Sequence, residues 1–198
     1  MKTFHDAWQK FHPDSLPMGH LVRESENDNW LRFHSLPESK RYADTEAEMA
    51  IILERQNIIA SEVLGSRACW IASSLHILED DAKDDEHWVP ETRRRNHNNL
   101  CEKYQMSHSF YFRDPDPDVE IDNDLFTALT AWQAREFDEV LRDIAGDMLT
   151  DTLWMSADTG AIFAPYDGGV DLILPDVSEI ARLRTKYSDW LSSHPSGY

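Results

Sequence analysis

The chain has 198 residues, the size of one domain, and 41% of them are apolar, which is enough to bury a core. Its 37 acidic and 19 basic residues give a formal net charge of -18, and the 11% of aromatic residues place that charge on the surface of a folded protein. Repulsion from phosphate backbones argues against a nucleic-acid partner, whereas the same field attracts a basic protein.

The sequence predicts no secretory or membrane segment. Its N-terminus lacks the apolar run of a signal peptide, and no stretch approaches the ~20 apolar residues of a transmembrane helix. Cys69 and Cys101 are too few for a disulfide framework, and Cys69 lies in an apolar run typical of a core position. We therefore expect a cytoplasmic protein with reduced thiols and no membrane partner.

A short amphipathic helix is predicted over residues 3–12, where Phe4, Trp8 and Phe11 recur at helical spacing. Residues 14–20 are typical of a loop because they combine proline, glycine and polar residues. We expect this helix to pack against the core.

The segment Trp30–His34 predicts a strand, because apolar and polar residues alternate along it. Leu31 and Phe33 share one face and would point into the core. Arg32 and His34 would then point together to the opposite side.

The clearest helix of the sequence is predicted over residues 45–64. Thr45 and Glu48 have the spacing of a capping box, and Gly65 stands where a helix commonly ends. An apolar run over Ala68–Leu78 then predicts a strand that is at least partly buried.

Residues 79–124 are predicted to form a charged excursion that includes one strand, Tyr104–Arg113. Its last part carries six acids at every second position, which we call the acidic comb: Asp114, Asp116, Asp118, Glu120, Asp122 and Asp124. In an extended chain these carboxylates would line one side at intervals of roughly 6.6 Å. Such a comb either prevents unwanted strand pairing or docks a basic partner. A calcium loop is disfavoured because Val119 stands where that loop needs glycine.

The last third of the chain predicts one long helix from Asp124 to Gly146, because apolar residues recur there at helical spacing. Three short antiparallel strands should follow, joined by turns at residues 159–160 and 167–169. A final helix should begin at Asp176, with an inner stripe of Ile180, Leu183, Tyr187, Trp190 and Leu191.

Together these elements predict a single α+β domain over residues 1–198. It would contain a mainly antiparallel sheet of about five or six strands, with three long helices and a short N-terminal helix packed against one side. The sequence contains no internal repeat and no flexible linker that would divide it.

No motif predicts catalysis, a cofactor or a metal site: HExxH, CxxC pairs, P-loop, GxSxG and GxGxxG do not occur. A serine–histidine pair from Ser35 and His34 is disfavoured, because neighbours on a strand point to opposite faces. The sequence therefore favours a binding protein over an enzyme, without excluding an enzyme.

The stretch Arg32–Tyr42, R-F-H-S-L-P-E-S-K-R-Y, concentrates basic and polar groups in an acidic chain. In one interpretation its first arginine forms a structural bridge to Asp167 or Asp171 within one sheet. In the other, the stretch and the D-G-G turn form an anion pocket, because glycine lets backbone amides approach a ligand closely. The candidate ligand-binding residues are Arg32, His34, Lys40, Arg41, Tyr42, Tyr166, Asp167 and Asp171.

Several motifs resemble an uncharacterised family of bacterial domains of unknown function. They are R-F-H-S-L-P-E-S-K-R-Y, T-E-A-E-x-x-x-x-L-E-R-Q-N, P-Y-D-G-G-V-D-L-I-L-P and R-x-K-Y-S-D-W-L. The similarity covers residues 19–78 and 152–194 and leaves out the acidic middle. The resemblance supplies no reaction and no catalytic residue. It implies a small bacterial cytoplasmic protein of a kind found at toxin-immunity loci.

Two functional hypotheses follow, of which the sequence favours the first; in a third interpretation, the protein has a housekeeping role and its family motifs serve folding alone. In the first, the protein is a cytoplasmic immunity- or antitoxin-like protein whose acidic surface, including the comb, neutralises a basic toxin partner. In the second, it is an enzyme or a sensor that binds a small anionic metabolite through Arg32–Tyr42 and the Asp167–Asp171 turn.

Overall fold

The computed structural model of the chain describes residues 3–25, 29–77, 91–114, 122–149 and 151–191. The helices of this part are α1 (Phe4–Phe11), α2 (Gly19–Ser25), α3 (Glu46–Leu64), α4 (Glu91–Lys103), α5 (Asp138–Ala145) and α6 (Val177–Lys186). The strands are β1 (Trp30–His34), β2 (Ala68–Ile77), β3 (Ser107–Arg113), β4 (Asp122–Ala131), β5 (Thr152–Ser156), β6 (Ile162–Tyr166) and β7 (Gly169–Ile173). They form one antiparallel sheet in the order β1-β7-β6-β5-β2-β4-β3.

Both faces of this sheet are covered by helices. In β5, Leu153 and Met155 belong to one core cluster and Trp154 to the other, because alternate side chains of a strand point to opposite faces. Helices α1 and α2 cover the first face, and α3, α4, α5 and α6 contribute to the core on the second. The α+β class and the antiparallel sheet are confirmed, whereas the prediction of helices on one side only is wrong. Sequence patterning also predicted too few strands and too few helices.

Aromatic rings fill the core of the second face. Trp132 stacks on Phe137 with ring centres 5.1 Å apart and meets Trp154 edge-on at 5.7 Å. Phe163 packs 5.7 Å from Trp154. Cys69 lies in the same cluster, where burial raises the pKa of its thiol to about 11, so it serves as a core residue as predicted.

The predicted first helix, first strand and helix α3 are confirmed. The Thr3 side chain caps α1 in a capping box, and the Thr45 hydroxyl accepts the Glu48 amide at the start of α3. The Glu48 carboxylate, however, accepts from the backbone amide of Asp44 at 2.7 Å, so the predicted capping box forms only in part. Gly65 ends α3 with a φ of 61°.

The predicted helix from Asp124 to Gly146 is wrong in its first half. Residues Asp122–Ala131 form β4, in which Asn123, Leu125 and Thr127 are buried at every second position. That alternation, together with β-branched threonines, favours a strand between β2 and β3 over the helical spacing read from the apolar residues alone. Only α5 is helical, and it ends at Gly146 as predicted.

Three further predictions need correction. Residues 14–20 were expected to be a loop, but Gly19 already begins α2. The charged excursion contains helix α4, whose His97 and Leu100 are buried. The last helix stops at Lys186, so the rest of its predicted stripe lies beyond it, with Trp190 in a separate 3-10 turn. The three-stranded meander β5–β7 is confirmed.

Candidate functional site

A cleft of about 490 Å³ opens beside strands β1, β7 and β6, on the face that α2 covers. Its walls come from α2, from β1 and the loop after it, from the start of β5, and from the β6–β7 turn. It is lined by Gly19, His20, Arg23, Arg32, His34, Ser39, Arg41, Asp151, Thr152, Ala164, Pro165, Tyr166, Asp167, Gly168 and Asp171. All the sequence candidates except Lys40 and Tyr42 are therefore brought together here.

Arg32 is bound to Asp171, which stands directly opposite in the β1–β7 register. Arg32 Nε and Nη2 donate to Asp171 Oδ1 and Oδ2, each at 2.8 Å, and both side chains are largely buried. The Trp30 indole donates to the same Oδ1 at 2.8 Å, and the guanidinium lies 4.8 Å from the centre of the Tyr166 ring. The structural bridge considered from the sequence is thus formed, with Asp171 as the acceptor.

Asp167, in the β6–β7 turn, holds a second arginine. Its Oδ2 accepts from Arg41 Nε at 2.7 Å and from the Tyr42 hydroxyl at 2.6 Å. These hydrogen bonds raise the pKa of Arg41 and of Tyr42, so both stay protonated at neutral pH. The Asp167 carboxylate is almost buried, whereas the Arg41 side chain is 63% exposed. Most of the Arg41 side chain therefore faces solvent, while Tyr42 supports Asp167 from outside the cleft.

Helix α2 supplies two cleft residues that sequence reasoning missed, His20 and Arg23. Arg23 Nη1 lies 3.6 Å from Asp171 Oδ2, so this carboxylate is shared by arginines from two elements. The helical signal in the segment is short: Met18, Leu21 and Val22 stand at i, i+3 and i+4, and all three pack in the same core cluster. So short a signal is too little to predict a helix of two turns.

The start of β5 forms another wall that the sequence did not indicate. Asp151 has a φ of 48°, and its carboxylate lies 3.4 Å from His76 Nε2 on β2. The next residue, Thr152, shares a 2.8 Å hydrogen bond with Ser73. Pairing of β2 with β5 thus sets the position of these two polar residues.

The loop between β1 and α3 adopts an unusual backbone beside the cleft. Glu38 and Ser39 have φ values of 56° and 57°, a left-handed conformation that residues with a side chain rarely adopt. Two such residues in succession cost free energy that the rest of the fold must offset, and such strain is typical of functional sites. The Ser39 side chain lines the cleft as a result.

Gly169 lets the two strands of the cleft approach each other. A Cβ atom at this position would lie 2.2 Å from the Phe33 carbonyl oxygen and 2.9 Å from the Tyr166 hydroxyl. Gly168 lies in the cleft wall, and its carbonyl accepts from the Ser35 amide at 3.1 Å. In the D-G-G turn, Gly169 therefore permits the close packing of β1 and β7, and Gly168 lines the cleft.

His34 presents an imidazole without a hydrogen-bond partner at Nε2 among the residues that the structure describes, although that atom is buried. Burial lowers the pKa of His34, and the positive charges of Arg32 and Arg55 lower it further. The ring is therefore neutral at pH 7. A neutral imidazole can either donate to or accept from a ligand.

Lys40 points away from the cleft. Its Nζ lies 2.5 Å from Glu48 and 2.8 Å from Asp44, at the start of α3. The hydrogen bonds to these two acids raise the pKa of Lys40. Lys40 is one of the basic residues predicted to hold an anion, but in the structure it pairs with the acids at the start of α3 instead.

The cleft combines three arginines with three aspartates, so its positive and negative charges balance in a chain whose net charge is -18.

Comparison with known protein families identifies the family of this chain. The family called Domain of unknown function (DUF3885) matches residues 18–195. The chain belongs to the DUF3885 family. The match includes every cleft residue and also the middle of the chain, while α1 precedes it. Neither the curated proteins nor the solved structures include a match to it.

The acidic comb of this DUF3885 domain is only partly within the described residues. Asp116, Asp118 and Glu120 lie outside them, so the proposed docking strip stays a prediction. Asp122 is bound by Arg113 at 2.9 Å and Asp124 by His108 at 2.8 Å, both from the neighbouring strand β3. Within the described ranges, no three acidic, histidine or cysteine residues are placed to hold a metal ion. No helix there has the length and apolar character needed to cross a membrane.

Proposed function

We propose that this DUF3885 domain binds a small anionic ligand in the cleft, as a sensor or an enzyme. The observation that carries this proposal is the convergence of Arg23, Arg32 and Arg41 on one cavity of about 490 Å³. They come from α2, β1 and the following loop, so only the fold unites them. Cavities of this size are typical of small-ligand sites.

The two paired aspartates make the arginines suitable for binding. Asp171 fixes the Arg32 guanidinium through Nε and Nη2, and Asp167 fixes that of Arg41 through Nε, so less conformational entropy is lost when a ligand binds. Arg41 keeps its exposed amino groups for a carboxylate or phosphate, which arginine binds in a planar, two-bond geometry. The neutral imidazole of His34 adds a hydrogen-bonding group beside them.

Isothermal titration and thermal shift with inorganic phosphate, acetate, phosphorylated metabolites and carboxylated metabolites test the proposal. Arg41→Ala should weaken binding at least about tenfold, since a charge-assisted contact is worth about 1.5–3 kcal/mol. Arg67→Ala is the matched control, because Arg67 is similarly exposed at 68%, pairs only loosely with Asp158 and lies outside the cleft. A silent panel, or equal loss in both variants, would contradict the proposal.

We also propose, as a second function, that the domain is a cytoplasmic immunity-like protein that neutralises a basic toxin partner. The net charge of -18 supports it, because such a field accelerates association with a basic surface. Capture from the source cells should recover a basic protein whose association slows steeply with salt. Charge reversal across Asp114–Asp124 should slow that association. Binding that is insensitive to salt and to the reversal would rule this function out.

A further inference from the structure

A second cavity lies next to the cleft and shares two lining residues with it. This cavity of about 370 Å³ is lined by His34, Leu36, Glu38, Ser39, Asp189, Trp190 and Leu191, and we call it the Trp190 pocket. His34 and Ser39 also line the arginine cleft. The two cavities therefore adjoin at His34 and Ser39, at the edge strand β1 and the loop that follows it.

The chemistry of the Trp190 pocket differs from that of the cleft. Trp190, Leu191 and Leu36 give it apolar contacts, and Glu38 and Asp189 give it exposed carboxyl oxygens. None of its lining residues is an arginine or a lysine. The pocket therefore suits a part of a ligand that has apolar surface and hydroxyl or amino donors. Its two carboxylates repel an anionic group.

The Trp190 ring is held firmly enough to form a binding wall. It stacks on Tyr187 at 4.6 Å with an interplanar angle of 22°, and it meets Phe33 edge-on at 6.3 Å. The Arg55 guanidinium lies 4.9 Å from the ring centre. With its position fixed by these contacts, the ring loses little conformational entropy when a ligand packs against its free edge.

The boundary between the two cavities carries its own indications of a ligand. His34 Nε2 is buried there and lacks a partner among the described residues, and buried polar atoms are normally satisfied. The strained residues Glu38 and Ser39 lie at the same boundary. A ligand that shifts the side chains around His34 as it passes between the cavities would give Nε2 a partner.

We infer that the ligand has two parts: a phosphate or carboxylate group that binds in the arginine cleft, and a larger moiety with hydroxyl or amino donors that binds in the Trp190 pocket. This inference rests on the proposed anion-binding function and extends it to the class of ligand. A bare anion would occupy the cleft alone. An anionic ester or an anionic nucleoside derivative would occupy both cavities.

The experiment compares inorganic phosphate with two larger phosphomonoesters, adenosine 5′-monophosphate and tyramine phosphate, by isothermal titration. At least one ester should bind the full chain about tenfold or more tightly than inorganic phosphate, the range expected for added contacts in a pocket. Trp190→Ala should remove that advantage and leave phosphate affinity within about twofold. Because Trp190 packs on Phe33, circular dichroism must show that the variant is folded.

Asp189→Asn is the second variant, since Asp189 is exposed and the exchange keeps the size of the side chain, so the fold should be unaffected. It should lower the affinity for the favoured ester about threefold without weakening phosphate binding. Equal affinity for phosphate and both esters, or ester binding unchanged in both variants, overturns the bipartite ligand but not the proposed function. If neither phosphate, nor the esters, nor any carboxylate of the panel binds, or if binding is indifferent to Arg41→Ala, both the proposed function and the inference are overturned. Binding of carboxylates alone overturns the phosphate form of the bipartite ligand and leaves the proposed function standing.

Discussion

Arg32 and Asp171 join the edge strand β1 to β7 through two parallel hydrogen bonds of 2.8 Å each. The same pair forms part of the cleft wall, so it contributes to the sheet and to the candidate site at once. Loss of binding in a variant of Arg32 would therefore have two possible causes. Arg41, which is mostly exposed and belongs to no strand, separates binding from stability.

We expect Arg32→Ala to lower the free energy of unfolding by about 3 kcal/mol, because removing one partner leaves a largely buried charge poorly compensated. Urea denaturation followed by tryptophan fluorescence measures this loss. The double variant Arg32→Ala/Asp171→Ala should lose less than the sum of the two single variants, with a coupling of about 1–3 kcal/mol. Additive losses would show that the pair does not act as one unit.

Arg41→Ala, unlike Arg32→Ala, should change the free energy of unfolding by less than about 1 kcal/mol. Arg41 is mostly exposed, so water screens much of its attraction to Asp167, and the nearly buried Asp167 keeps its hydrogen bond to Tyr42. Tyr42→Phe, which removes only that hydroxyl, should cost about as little. The same denaturation measurement checks both variants. A loss comparable to that of Arg32→Ala would mean that the Asp167 cluster is structural.

The sequence predicts the regular parts of this fold well where one signal dominates. Thr45 and Gly65 mark the two ends of α3 because capping depends on local backbone geometry, which adjacent residues determine. The strand parity of Trp30–His34 correctly places Arg32 on the face opposite Leu31 and Phe33, because alternate side chains of a strand point to opposite faces. Such signals need no knowledge of distant residues.

Other parts of the structure depend on contacts that the sequence does not show. Residues Asp122–Ala131 carry apolar residues at both helical and strand spacing, and the choice is made by pairing with β2 and β3. His20 and Arg23 reach the cleft only because α2 packs against β7, a contact between distant segments. Lys40 lies within the basic stretch, yet Asp44 and Glu48 turn it away. Composition thus indicated a stretch of which four residues, Arg32, His34, Ser39 and Arg41, line the cleft, while tertiary packing determines which other residues join them.

Gly169→Ala should be strongly destabilising, because its Cβ would lie 2.2 Å from the Phe33 carbonyl oxygen and would separate β1 from β7. We expect a loss of about 3 kcal/mol or more, at the upper end of overpacking effects. Gly65→Ala is the informative comparison: its φ of 61° is unfavourable for alanine, but a Cβ there meets no atom within 4 Å. It should cost only about 1–2 kcal/mol. If both variants lose a similar free energy of unfolding, the steric clash of the Gly169→Ala side chain is not the main cause, and backbone conformation explains the losses.

The stability of the protein should fall as the pH is lowered from about 6.5, the ordinary pKa of histidine. Burial lowers the pKa of His97, and burial with the nearby charges of Arg32 and Arg55 lowers that of His34. Above pH 6.5 both imidazoles are neutral in the folded and the unfolded chain, so they contribute no pH dependence. Below it the unfolded chain binds protons that the folded chain excludes, so unfolding is favoured until the pH reaches the lowered pKa values.

Urea denaturation at half-unit intervals between pH 7.5 and 5 measures this dependence. Each histidine can contribute at most about 1.4 kcal/mol per pH unit within its window. His97→Asn and His34→Asn should each reduce the slope of the free energy of unfolding against pH. The reduction should be larger for His97→Asn, because the His97 side chain is almost fully buried and that of His34 is partly exposed. Imidazole proton shifts in a parallel NMR titration assign the two pKa values directly. A histidine that titrates at 6.5 or above in the folded protein would show that its burial does not exclude the proton.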